Sequence, residues 1–211
     1  MVNSKYSATW EENDKKIKFG KYNYNDEDYV LVKFNFDDNY DEFIAFYNPL
    51  VIVIVTDSND LKENLFNALN IYEINNNVIL CINDEIEIST DKFNIINILN
   101  DNGILKLIRL INKISYEKNI NKLNYGNDIE TSISNIQNYL KKILDYKNLR
   151  WLSIRLLMDD SIISIIKENL NYDILNDKIL LNLIKSERNK YNNLKDLILK
   201  YKLLEIDNIY S

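Results

Sequence analysis

Histidine is absent from the 211 residues. That removes the commonest general base and a frequent transition-metal ligand, so neither a Ser-His-Asp triad nor a histidine-based zinc site can be built. A single cysteine, Cys81, excludes an internal disulfide, and its place in the apolar run "VILCIN" makes it a packing residue. No apolar run approaches the roughly 20 residues of a membrane-spanning helix. The longest, "PLVIVIV", covers residues 49–55. The opening "MVNSKYSATWEENDKK" lacks the apolar centre of a secretion signal, so the chain reads as cytoplasmic. Excess positive charge is missing too: 32 acidic residues against 26 basic ones give a net charge of −6. The lysines are interleaved with acids, which argues against a nucleic-acid partner, since phosphate backbones need a concentrated basic surface.

Apolar residues are plentiful, at 46% of the chain, and their spacing changes along it. Alternation over 16–24 and 28–36 predicts a β-hairpin. The β-branched run at 50–55 suits a strand buried on both faces of a parallel sheet. Next, Asp57, Ser58 or Asn59 can cap a helix whose Leu61, Leu65, Ala68 and Leu69 share a face. A second buried strand is expected at 78–83, a helix over 92–102 ended by Gly103, and a third parallel strand at 104–111. Strand–helix alternation of this kind is α/β grammar. Beyond Gly126 the apolar spacing is three and four throughout, which predicts a helical bundle. The boundary falls near 123–128, giving an α/β domain over 1–125 and a helical domain over 126–211.

Within the helical part, "LRWLSIRLLMDD" at 149–160 sets Trp151, Ile154 and Met158 on one side of a helix. Packing alone accounts for such a stripe. The segment also resembles the Arg-Trp-Leu-x-Ile-Lys-Leu-Leu-x-x-Asp segment of ferrous iron transport protein B, FeoB, whose cytosolic part is a small GTPase domain followed by a helical domain. Arg150, Trp151, Leu152, Ile154, Leu156, Leu157 and Asp160 match it, with Arg155 in the lysine place. An upstream block is similar to the family's Asp-x-x-x-Leu-x-x-Asn-Leu-Tyr-x-x-Leu, here Asp57, Leu61, Asn64, Leu65, Phe66 and Leu69. "VILCIN" resembles the strand ending at the guanine-recognition Asn-x-x-Asp. Residues 8–40 resemble the family's hairpin and the segment after it.

The resemblance implies a Ras-like GTPase-type sheet, incomplete because the first strand and phosphate loop have no counterpart, followed by an all-α domain. It places Thr9 where a magnesium-binding threonine would stand, Asn35 at the switch aspartate, Asp38 at its glycine, and Asn83 at the start of the guanine motif. The sequence contains no Gly-x-x-x-x-Gly-Lys-Ser/Thr, the loop that grips the β- and γ-phosphates. "VTDSNDLKENLFNAL" puts Lys62 near the right offset but has neither glycine. Ile86 stands where an aspartate would pair with guanine, and isoleucine cannot supply that acceptor. No cofactor is therefore expected; GTP or GDP with magnesium would bind only if the site were retained. No catalytic residue is indicated, and no metal site, the acidic Asp37, Asp38, Asp41 and Glu42 reading as a solvated loop.

Three readings follow. One is a FeoB-like pseudo-GTPase with a regulatory role. It would bind a protein partner, a ferrous iron transporter or a cytosolic component of one, at the inner face of the membrane, and self-association is open. Another is the truncated cytosolic part of a GTP-binding iron transporter, and the last an interaction module unrelated to iron. A missing first strand would leave the strands at 29–36 and 50–55 with facing unpaired edges, and direct pairing between them is the expected closure.

Overall fold

A computed structural model of the chain describes residues 9–12, 18–24, 27–33, 40–47, 49–75, 77–114 and 122–210. They fall into two compact units, 1–43 and 44–211. In the first unit, β1 (Thr9–Glu12), β2 (Lys18–Tyr24) and β3 (Glu27–Lys33) form an antiparallel meander. The register runs from Lys18 opposite Lys33 to Tyr24 opposite Glu27, the hairpin expected from the alternation. Helix α1 (Tyr40–Tyr47) crosses the unit boundary. Its Asp41 and Glu42 lie in the first turn, where acids complement the helix dipole, so this half of the acidic cluster is helical and not a loop.

The second unit contains a three-stranded parallel sheet in the order β4 (Ile52–Thr56), β5 (Val78–Ile82), β6 (Asn94–Asn97). Helix α2 (Leu61–Tyr72) connects the first two strands, and its Leu61, Leu65, Ala68 and Leu69 are buried as expected. Among the described residues β4 pairs only with β5, so the direct pairing expected between the hairpin and the strand at 50–55 is not found there.

Two expectations are exchanged. Residues 94–97 form a strand where a helix was expected, hydrogen-bonded parallel to β5 with Ile79 opposite Asn94. Residues 101–114 form helix α3 (Asp101–Ile114) where a strand was expected. The run "ILKLIRLI" fits a period of two over short stretches but also spaces Leu107, Leu110 and Ile111 three and four apart. Those three pack over Ile79 and Cys81 beside Ile96. Gly103 accordingly lies inside the first turn of α3 and does not end a helix. A Cβ there would sit 2.3 Å from the Asn97 carbonyl oxygen, so glycine allows α3 to start tight against the end of β6.

The helical part comprises α4 (Asn127–Leu140), α5 (Leu149–Met158), α6 (Ile162–Leu170), a 3₁₀ turn (Ile174–Asn176), α7 (Lys178–Arg188) and α8 (Leu194–Tyr210). Gly126, at φ +83°, provides the turn into α4. Helix α5 is buried almost all round: Trp151, Leu152, Ile154, Leu156 and Leu157 are core residues. Each such side chain contributes about 1.5–3 kcal/mol of burial. The long helical run breaks after Met158, where Asp159 turns extended, bonds the Ser161 amide at 2.8 Å and so allows α6 to begin in a new direction.

Candidate functional site

Ligands of open parallel sheets sit outside the carboxyl ends of the strands, so the residues after β4, β5 and β6 are the first place to look. Here those residues bond to one another. Asn64 Nδ2, from α2, donates to Thr56 Oγ1 at 3.1 Å, and Thr56 Oγ1 donates to the Asp57 carbonyl. Asp57 Oδ1 accepts the Asn59 and Asp60 amides at 2.9 and 3.3 Å, an Asx turn that leads into α2. The residue immediately before α2 is Asp60, which makes no side-chain cap. Asn97 Nδ2 reaches the Asp84 carbonyl at 2.5 Å. Ser58 bonds to the Asp84 carboxylate and, with the Glu85 amide, holds it below the usual carboxylate range.

Asn83 lies directly after β5, with its amide donating to the Thr56 carbonyl at 2.8 Å and its side chain exposed. Ile86 is half-buried three residues on. Thr9 lies in β1, in the other unit, while Asn35 and Asp38 fall outside the described residues. Among the described residues no three His, Cys, Asp or Glu side chains are grouped to hold a metal.

The Arg-Trp pair of α5 is set at the contact between this α/β layer and the helices. Trp151 meets Phe46 edge-on at 5.9 Å, and Phe46 stacks on Tyr146 at 5.6 Å. The Tyr146 hydroxyl and the Asn148 amide both donate to the Ala45 carbonyl, fixing the end of α1. Arg150 points the other way and is 8% exposed. Its Nη1 and Nη2 grip Glu130 of α4 at 2.7 and 2.9 Å, Nη2 donates to the Leu123 carbonyl at 2.7 Å, and Nε reaches Glu73 at 3.2 Å. The guanidinium also lies over the Tyr125 ring at 5.8 Å. One arginine thus ties the end of α2 to α4, α5 and the segment before α4.

Burial opposes the charge on Arg150, but Glu130 and Glu73 keep it protonated. Burial pushes the Glu130 carboxyl up, yet the bonds from Arg150 and from the Tyr125 amide bring it below its ordinary range. The pairing of Arg150 with Glu73 and Glu130 escapes sequence reasoning, because the partners are 77 and 20 residues away. The one local signal was Glu130 in the first turn of α4, where its Oε1 takes the Tyr125 amide at 3.0 Å. Asp160 plays a smaller part: its carboxylate meets Arg188 Nη1 at 2.8 Å at a largely exposed position. Arg188 itself covers the last carbonyls of α5, from Leu156 and Asp159.

Residues 125–207 match the family model of the FeoB cytosolic helical domain. The C-terminal part of the chain is similar to the FeoB helical domain. Solved FeoB cytosolic domains also share the fold of nearly the whole chain. An S. thermophilus NFeoB mutant without nucleotide aligns at a TM-score of 0.72 and 13% identity over 96% of this chain and 89% of that one. The T. maritima FeoB cytosolic domain in its apo form gives 0.64 and 17% over 98% and 88%. The L. pneumophila FeoB cytosolic domain gives 0.62 and 18% over 99% and 90%. Among curated proteins none matches the chain in sequence. The FeoB match spans the cluster around Arg150, whose Glu130, Tyr125 and Arg150 all lie inside it, while Glu73 lies outside it in the α/β layer.

Proposed function

We propose that the chain is a FeoB-like pseudo-GTPase domain of ferrous iron transport, acting on the cytosolic side of the membrane through a protein partner. The observation that carries this reading is the carboxyl edge of the parallel sheet. Thr56, Ser58, Asn64, Asp84 and Asn97 are engaged there in pairs, Thr56 with Asn64, Ser58 with Asp84 and Asn97 with Asp84. The absence of a Gly-x-x-x-x-Gly-Lys-Ser/Thr sequence and the isoleucine at position 86 support the same reading. Phosphate release from GTP, measured with magnesium beside a FeoB domain that carries the loop, tests it. The expected rate is that of the buffer blank, and turnover approaching the control contradicts the proposal.

A second reading, that the sequence is a piece of a GTP-binding transporter, is favoured by β4. This strand ends its sheet among the described residues, with β5 on one side and an edge free to take a further strand on the other. Translation of the DNA flanking the gene separates the two: an upstream Gly-Lys-Thr loop in frame decides for the second.

A further inference from the structure

Lysines are interleaved with acids along most of the chain, but the stretch from Asn102 to Lys113 holds Lys106, Arg109 and Lys113 and no acid. Helix α3 turns that composition into a surface. At about 3.6 residues per turn, these three cations, spaced three and four apart, share one side of the helix. All three are exposed. Leu107, Leu110 and Ile111 lie toward the other side, which packs over Ile79 and Cys81 of β5. The basic side therefore faces away from the sheet.

The apolar side of α3 is wider than the sheet covers. Leu107, Ile108, Leu110 and Ile111 are only half-buried, and Ile104 and Leu105 are 39% and 42% exposed. Leu105 precedes Arg109 by four residues and Arg109 precedes Lys113 by four, so an exposed leucine heads the basic row. Cations bordered by bare aliphatic side chains on one helix suit an anionic lipid surface, where the charges meet headgroups and the aliphatic groups reach the acyl boundary. An acidic protein segment would meet the cations as well. The bare shoulder of Ile104 and Leu105 favours a surface with an apolar layer beneath its charges. We propose that the outer side of α3 docks on a bilayer bearing anionic headgroups, with Lys106, Arg109 and Lys113 against the phosphates and Leu105 at the headgroup boundary.

The row from Leu105 to Lys113 rises roughly 12 Å along the helix. Physiological salt screens charge over about 8 Å, so the cations act on the surface locally. The net charge of −6 opposes the approach of the chain as a whole. Attraction to an anionic surface thus requires an oriented face, which α3 provides. The contact needs no nucleotide: its failure would leave the reading of the sheet edge standing, and a bound nucleotide would leave the contact standing.

Flotation of the intact chain with phosphatidylcholine vesicles, with and without an equal part of phosphatidylserine, tests the proposal in low-salt buffer. The chain should float with the anionic vesicles and not with the neutral ones, and added salt should release it. Each cation near such a surface is worth about fivefold in partition, so Lys106→Gln combined with Arg109→Gln should lower it about 25-fold. Leu105→Asn, at unchanged charge, should lower it severalfold. Circular dichroism checks that the variants fold; if one does not, the two vesicle types and the salt series with the parent still decide. Equal flotation with both vesicles, or undiminished flotation of the double variant, overturns the proposal. Release by inorganic phosphate at matched ionic strength also overturns it, since that marks a discrete anion site. Undiminished flotation of Leu105→Asn does the same by marking a contact through charge alone.

Discussion

Arg150 makes four of its five donors' worth of contact with groups that water cannot reach easily: two bonds to Glu130, one to Glu73 and one to the Leu123 carbonyl. A methionine in its place would fill similar space but remove the guanidinium that both Glu73 and Glu130 bond, and breaking a buried pair in this way costs about 3–5 kcal/mol. Denaturant unfolding of Arg150→Met should show that loss. Gly103 is constrained by geometry instead of charge. Its neighbour is a backbone carbonyl, which cannot swing aside as a side-chain end can, so Gly103→Ala should destabilise by about 1–3 kcal/mol through displacement of α3 from β6. Thermal unfolding measures this, and an unchanged midpoint would show that α3 can shift without loss.

At the scale of elements, caps and closures separate structural residues from bystanders. Asp177 accepts the Ile179 and Leu180 amides at 3.1 and 2.9 Å at the start of α7 and takes the Tyr139 and Tyr172 hydroxyls as well. Asp177→Ala should therefore cost about 1–2 kcal/mol in chemical denaturation. Asp160, whose side chain is 73% exposed, should cost no more than about 0.5 kcal/mol as alanine. Arg188→Ala should cost clearly more than that, since it uncovers the Leu156 and Asp159 carbonyls. A reversed order in the two denaturation curves would mean the ion pair, and not the carbonyl cover, holds the end of α5.

Where the sequence pattern was read correctly, local and global preferences agree. The hairpin at 18–33, α2 and β5 were legible, and β4 is a strand as expected, but its Val53 and Val55 are exposed where burial on both faces was expected. The exchange of strand and helix between 92 and 114 arose because "NIIN" is too short and polar to announce a strand. It becomes one by pairing with β5, a neighbour the pattern cannot name. The site divides in the same way. Asn83 could be placed at a strand end from the chain alone. The mutual bonding of Thr56, Asn64, Asp84 and Asn97 needed three dimensions, as did the partners of Arg150.

For the molecule as a whole, residues 125–207 resemble the FeoB helical domain and the fold of nearly the entire chain is shared with FeoB cytosolic domains, one in a GMPPNP form and others in GDP forms. The proposed loss of nucleotide chemistry is thus a difference in residues on a retained scaffold. Isothermal titration of GTP and GDP into the chain with magnesium tests that difference most directly. The account predicts no saturable heat at micromolar protein; a saturable isotherm in the micromolar range for either nucleotide would contradict it.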